Sequence, residues 1–432
     1  MNTTTEPTPW IVPVRRCRRT GEHFEWPDGS TLASGRRADA LPLEQLATSL
    51  KRAGVRRTRV ALDAGSDAVC RIHRSPSIEH DEGYRLTIKP GGIEILARTD
   101  AGAYYAIQTL RDMLVACGRQ LPSCRIDDWP DFPRRAIYHD TARGKIPTVE
   151  TVKGLVERLA HWKINELQLY VENGFTFAGH PKIGRGFDGY TPADLHAIEA
   201  HCRKHHVRFV GSLTSFGHME LILKEPEYQH LGELPGWNNF PGGTTLCPVD
   251  PGSIRLVREM YGEYLPLFEA EHFNACGDEP WELGKGRSKS RVEKVGEGRV
   301  YLEFMKQVLD ICTDHGKQPN VWSDIVLHHP ELLADWPSET VMLNWAYRPG
   351  HPRVKQTQLI AEAGLPFMAC SGTNAWCSHG SRLDWAIDNV REFSAVARKL
   401  GALGILHTDW GDGCHRNTLG ASMLSFAHAA AH

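Results

Sequence analysis

The sequence predicts an α/β chain, a (β/α)8 barrel preceded by a small α/β accessory domain, and three observations carry that expectation. Beyond about residue 131, short apolar runs alternate with amphipathic helical stretches eight times within roughly 300 residues, the size and connectivity of a TIM barrel. The preceding residues follow a different pattern, a hairpin and then a helix. No glycine-rich fingerprint or P-loop follows any of the strands, which favours a barrel over a doubly wound sheet.

In residues 1–130, Leu43 to Ala53 has helical spacing. Tyr84 to Lys89 alternates as a strand, Pro90-Gly91-Gly92 turns, and Ile93 to Ala97 alternates again. Asp100 is placed to cap a helix whose apolar stripe is Ala103, Ile107, Leu110 and Leu114. The polar, proline-bearing stretch Asp127 to Pro133 reads as the linker, so the accessory domain is expected at 1–130 and the barrel at 131–432. The eight barrel strands are expected at Ala136–Asp140, Glu166–Val171, Val207–Leu213, His272–Cys276, Asn320–Ser323, Val341–Trp345, Phe367–Cys370 and Gly404–Thr408. Helices are drawn between them at Val149–Trp162, Ala193–His205, Ser253–Phe268, Val300–Thr313 and Leu383–Leu400, with a short last helix from Leu419.

The composition, 41% hydrophobic and 24% charged with a formal charge of -2, has no basic excess and gives no reason to expect nucleic acid. No run of 18 apolar residues is present, so no membrane span is expected. The opening residues lack the apolar core of a leader, and a cytoplasmic location is the expectation. The 11 cysteines are scattered without CxxC spacing and read as reduced thiols rather than disulfides or a zinc site. No cofactor and no metal are expected; apolar barrel helices would permit a homo-oligomer.

Barrel enzymes gather their chemistry where strands end, so the residues at those ends are the candidates for it. Strand one delivers His139 and Asp140, with Arg143 just beyond; strand two Glu172 and Asn173; strand three Ser215 and His218. Strand four ends in Gly277-Asp278-Glu279, and strand five in Trp322 and Asp324. Strand six offers Asn344, Trp345 and Tyr347, strand seven Asn374 and Trp376, and strand eight Asp409, Trp410 and Asp412. Several tryptophans around one mouth suit a pyranose, whose C–H faces pack on indole while its hydroxyls bond polar groups at the rim. Adjacent carboxylates favour a shared proton, and a protonated Glu279 beside an ionised Asp278 could cleave a glycosidic bond. Both reach the mouth only if the strand stops before them, as Gly277 and Pro280 permit.

At these residues the chain resembles glycoside hydrolase family 20, the β-N-acetylhexosaminidases. The likeness covers about residues 82 to 412: Tyr84 to Ile88, Gly92 to Ile95 and Ala101 to Leu110 are similar to that family's accessory domain. Phe132-Pro133-Arg134-Arg135 leading to Asp140 and Arg143, then Phe216-Gly217-His218 and Gly277-Asp278-Glu279, follow in the family's order. The resemblance implies an exo-acting, retaining enzyme in which the sugar's 2-acetamido oxygen is the nucleophile, outside the two-carboxylate scheme. On this likeness Asp278 orients the acetamido group and Glu279 is acid, then base. Arg135 resembles the arginine that holds the terminal sugar, Trp322, Trp345 and Trp410 resemble pocket walls, and His218 matches a site histidine. Asp324, Tyr347, Asn374, Trp376 and Asp409 complete the expected substrate contacts.

Three departures stand out. Asn274-Ala275-Cys276-Gly277 replaces a histidine and two glycines before the acidic pair, and strand two shows Gln168 and Tyr170 where histidines are expected. No tyrosine follows strand seven to bond the acetamido oxygen, leaving Asn374 or Tyr347 as substitutes. These point to a divergent relative that releases terminal N-acetylgalactosamine or N-acetylglucosamine, with specificity expected to be shifted toward N-acetylgalactosamine. Two rivals are a metal-dependent barrel hydrolase using His139, Asp140, His218 and Asp278, and a sugar-binding homologue without turnover. The loop from Ser215 to Pro251 is long for a βα connection, and its Trp237, Asn238 and Asn239 could cover the pocket, reach another subunit or form a plain insertion.

Overall fold

The computed structural model describes residues 9–63 and 67–432; part of the opening stretch read for a leader therefore lies outside the described residues. The first seven strands are β1 (Arg16–Glu25), β2 (Thr31–Ser34), β3 (Arg59–Ala61), β4 (Cys70–Arg74), β5 (Tyr84–Lys89), β6 (Gly92–Ala97) and β7 (Gln120–Asp128). They form one mixed sheet in the order β1-β7-β5-β6-β4-β2-β3. The expected hairpin is β5 and β6, paired antiparallel from Tyr84–Ala97 to Lys89–Gly92. Helices Ala40–Arg52 and Asp100–Cys117 pack together beside this sheet. The cap of the second is Thr99, not Asp100: the Thr99 hydroxyl accepts the Gly102 N–H, whereas Asp100 takes an ion pair from Arg74 at 2.7 Å.

Eight parallel strands then close a barrel in chain order: β8 (Arg134–Asp140), β9 (Glu166–Val171), β10 (Arg208–Leu213), β11 (His272–Asn274), β12 (Gln318–Trp322), β13 (Val341–Trp345), β14 (Phe367–Cys370) and β15 (Gly404–Asp409). β15 returns to β8 over the pairs Gly404–Arg134 to Asp409–His139. The fold is thus the (β/α)8 barrel behind an N-terminal α/β domain that the periodicity predicts. No helix among the described residues is long and apolar enough to cross a membrane. The cysteines are free thiols, most of them buried.

Alternation along each strand decides which residues enter the barrel. On β8, Arg134 points inward to a buried ion pair with Glu166, 2.7 Å, and Tyr138 joins the interior cluster of Tyr170, Trp322 and Trp410. The outward residues Ile137, Leu167, Leu169 and Phe209 pack under the helices. Arg135 alternates outward at the N-terminal end of β8. Its guanidinium donates to the carbonyls of Phe132 at 2.7 Å and Lys163 at 2.8 Å, pairs with Glu82 at 2.6 Å and covers the Tyr105 ring. It therefore ties the barrel floor to the accessory sheet and lines a cavity of about 190 Å³ at that end, far from the strand ends where a substrate would sit. The assignment of Arg135 to substrate is corrected on that ground. Lys163, bonded to Asp128 at 2.8 Å, and Tyr104, bonded to His205 at 2.9 Å, fasten the same interface.

Candidate active site

Strand β11 is the shortest in the barrel, stopping at Asn274 rather than Cys276. Cys276 and Gly277 then take left-handed backbone, φ 55° and 84°, and Glu279 does so again at 48°. Such turns break the up–down alternation, so Asp278 and Glu279 both face the mouth. Glycine suits position 277 because a side chain at φ 84° would be strained, and a Cβ there would also press on the Met305 methyl at 2.6 Å. The Tyr301 hydroxyl donates to the Gly277 carbonyl at 2.9 Å, and Asp324 accepts the Glu279 N–H at 3.1 Å. Gly217 completes the support: a Cβ on it would fall 2.2 Å from the Asp278 carbonyl oxygen, so the β10 loop packs backbone to backbone against the acidic pair.

His218, also left-handed at φ 55°, follows Gly217 and places Nε2 3.3 Å from Asp278 and 3.5 Å from Glu279. Burial alone would depress this imidazole, but the Asp278 charge and hydrogen bonds to both carboxylates carry it well above the ordinary histidine range. Glu172 and Glu220 bring carboxylate oxygens within 4.8 Å of a His218 nitrogen. Burial pushes Glu172 up to about 7 against the opposing pull of Arg143, with Glu220 adding to the rise.

Around the pair opens a pocket of about 200 Å³. Trp322, Trp345, Trp376 and Trp410 wall it, and Tyr347 stacks on Trp345 at 5.1 Å with 17° between the planes. The Trp410 indole N–H donates to the Tyr347 hydroxyl at 2.7 Å, fixing both rings. Arg143 and Asp412, 3.3 Å apart, add a charged pair to the lining. Arg143 is held by Asp140 at 2.8 Å and lies over the rings of Tyr170 and Trp410. Despite its burial, Asp140 stays below the usual carboxylate range because Arg143 and the N–H groups of Ala142 and Gly411 stabilise its charge.

Of the residues expected from sequence, Asp278, Glu279, His218, Trp322, Trp345, Tyr347, Trp376 and Trp410 line this one pocket. Arg135, Asp324, Asn374 and Asp409 do not. Asp324 sits behind the pair, where burial and then the charge of Asp278 raise it to about 7. The Asn374 amide is spent on the carbonyls of Tyr347 at 3.0 Å and Gly372 at 3.1 Å. Asp409 alternates outward to His139 at 2.9 Å, Thr373 at 2.9 Å and Ser422 at 2.6 Å, so it anchors strand ends to the last helix. Arg143 and Asp412 were absent from the expected contacts, although both stand at strand ends and Arg143 belongs to the motif that carries the family likeness. The metal-hydrolase set does not converge either: His139 is engaged by Asp409 and Asp140 by Arg143, leaving only His218 beside Asp278.

Trp237, Asn238 and Asn239 of the long loop do not line the pocket. The loop instead braces the segment after Glu279. Glu282 accepts the Thr244 N–H and hydroxyl, Glu233 accepts from Gly286 and Ser288, and Arg287 bonds the His230 carbonyl.

Known proteins resemble the chain in sequence and in fold. The chain is 24% identical to a β-hexosaminidase of Akkermansia muciniphila over 330 residues, covering 68% of this chain and 64% of that protein. It is 29% identical to a β-N-acetylhexosaminidase of Cellulomonas fimi over 290 residues, 61% of this chain and 54% of the other. The chain thus spans between about half and two thirds of the length of the curated relatives it matches. Its fold superposes on the exo-β-N-acetylglucosaminidase of Vibrio harveyi with a TM-score of 0.78 at 16% identity, over 98% of this chain and 73% of the other. Residues 8–129 match glycosyl hydrolase family 20, domain 2, and residues 132–400 match the catalytic domain of the same family. With a match over more than half its length, centred on the barrel that holds Asp278 and Glu279, the chain belongs to glycosyl hydrolase family 20.

Proposed function

We propose that the chain is a glycoside hydrolase that removes a terminal β-linked N-acetylhexosamine with retention, the substrate's own acetamido oxygen acting as nucleophile. The observation that carries this reading is the shared orientation of Asp278 and Glu279 into one indole-walled pocket, joined by His218. Glu279 protonates the departing oxygen while the acetamido oxygen bonds the anomeric carbon and the glycosidic bond breaks. Asp278 accepts the acetamido N–H and stabilises the charge of the oxazolinium ring. Glu279 then takes a proton from the water that opens that ring. The Tyr347 hydroxyl, held over the pocket by Trp410, is the donor for the acetamido oxygen. Arg143 and Asp412 meet hydroxyls of the terminal ring and enforce exo action.

The substrate is a small glycan or glycoconjugate carrying N-acetylgalactosamine or N-acetylglucosamine, and relatives bearing the hexosaminidase name support that class. A panel of aryl glycosides tests it, comparing gluco and galacto N-acetylhexosaminides with plain hexosides. Release only from the N-acetylated pair is expected, and their ratio reports the epimer preference. Equal rates on plain hexosides would exclude acetamido participation, and binding without release would make the chain a lectin-like homologue.

A further inference from the structure

Away from the pocket, a second group of potential metal ligands lies on the outer helical ring. His201 and His205 stand four residues apart on the helix Pro192–Lys204 and its cap, so both rings leave the same face. Their centroids are 4.6 Å apart. Glu157, on the neighbouring helix Val149–His161, reaches across to within 3.3 Å of His201 Nε2. One ligand atom from each of the three lies within 4.8 Å of the others. Nε2 of His201 is itself buried and makes no well-formed hydrogen bond, facing only the Glu157 carboxylate oxygen at 3.3 Å, a spacing an ion between the two would fill. Nδ1 of His205 is engaged by the Tyr104 hydroxyl at 2.9 Å, which sets the ring and leaves Nε2 as the nitrogen free to ligate.

We propose that Glu157, His201 and His205 form a binding site for a first-row divalent cation of the Zn²⁺ type. Two imidazoles and one carboxylate are the donor set such ions prefer, whereas Mg²⁺ and Ca²⁺ select oxygen ligands. The second group with ligand spacing, Glu172, His218 and Glu220, shares His218 with the catalytic pair and belongs to that site. The site on the outer ring lies where helices run back to the barrel floor, on the side of Tyr104 and the accessory helix. An ion there joins two barrel helices and, through His205 and Tyr104, the accessory domain. Its role is therefore structural, stabilising the folded chain by mass action.

The test uses the full, untagged chain stripped with a chelator and titrated with Zn²⁺, then with Co²⁺ as an optical probe. Uptake of one equivalent at micromolar concentration is expected, with a visible Co²⁺ band and no near-ultraviolet thiolate band. The second criterion matters because Cys17, Cys117, Cys377 and Cys414 are exposed. Zn²⁺ should raise the thermal midpoint and millimolar Mg²⁺ should not. Glu157→Gln and His201→Gln should each weaken uptake by about tenfold or more, and Tyr104→Phe by roughly tenfold, with hydrolytic turnover unchanged. Glu157 is more than half exposed, so its variant folds even if the histidine variant does not. No uptake, undiminished uptake in Glu157→Gln, a thiolate-dominated Co²⁺ spectrum, or an equal response to Mg²⁺ would overturn the proposal.

Discussion

The Asp324 carboxylate accepts the backbone N–H of Glu279 at 3.1 Å, so the end of β12 holds the left-handed turn that presents the acid. Support by a carboxylate that is itself buried makes the geometry of the site sensitive to protonation. Asp324 rises from 3.8 to about 7, chiefly through burial and then through Asp278. Between those values the folded state keeps a proton that the unfolded chain has released, and stability falls as pH rises across that window. Asp324→Asn should shrink the drop in urea midpoint between pH 5 and pH 8. An unchanged drop would show that Asp324 does not titrate in this way.

His218 contributes with the same direction at higher pH. Its folded value lies above the ordinary histidine value, so its stabilisation is complete below about 6.5 and is lost as pH passes through the elevated value. His218→Gln should therefore flatten the alkaline limb of the stability profile. Thermal midpoints measured from pH 6 to pH 10 check it.

Glu279→Gln should lower kcat on an N-acetylhexosaminide by about 10²–10⁴-fold with little change in substrate affinity, because the amide cannot give up a proton. Asp278→Asn should lower kcat through a misplaced acetamido group. Steady-state kinetics with a product-binding titration separate the two effects, and loss of binding in Glu279→Gln would argue for a structural defect instead.

Arg143 and Arg135 should part company. Arg143→Lys keeps a cation beside Asp140 but loses the planar fork, and KM should rise by about tenfold, or ~1.4 kcal/mol. Arg135→Ala should leave KM alone and cost roughly 1–3 kcal/mol of stability through the unpaired Glu82 and two orphaned carbonyls. Kinetics and denaturant midpoints on both variants decide the matter; a KM effect confined to Arg135 would return that residue to the substrate.

Gly217→Ala should disturb the acidic pair without touching substrate. Its Cβ would meet the Asp278 and Glu279 carbonyl oxygens at 2.2 and 2.9 Å, and backbone must move to admit it. A stability loss of about 1–3 kcal/mol is expected, together with a fall in kcat larger than any change in KM. Full activity in this variant would mean the β10 loop does not set the acid.

Much of the barrel was legible because each strand is a short apolar run bounded by polar ends. Glu166–Val171, Val341–Trp345 and Phe367–Cys370 agree residue for residue with their expected limits. Strand ends also brought eight of the expected residues to one pocket, although Asn374 and Asp409 at the same edge turn elsewhere. Hence the acidic pair, His218 and the four tryptophans of the pocket could be read from the sequence alone.

By itself, then, the amino-acid sequence determined the order of elements, the end of the barrel that carries chemistry and the acidic pair at its centre. Only the tertiary structure decided which way each strand-end side chain points. Barrel strands are buried on both faces, so apolar periodicity does not mark the inner one. For that reason Arg134 took the interior seat and turned Arg135 to the domain interface, and Asp409 turned outward to His139 and Ser422. Arg143 and Asp412 lie past the strands, where loop paths rather than alternation aim a side chain. They reach the pocket because Asp140 fixes Arg143, and Arg143 in turn meets Asp412.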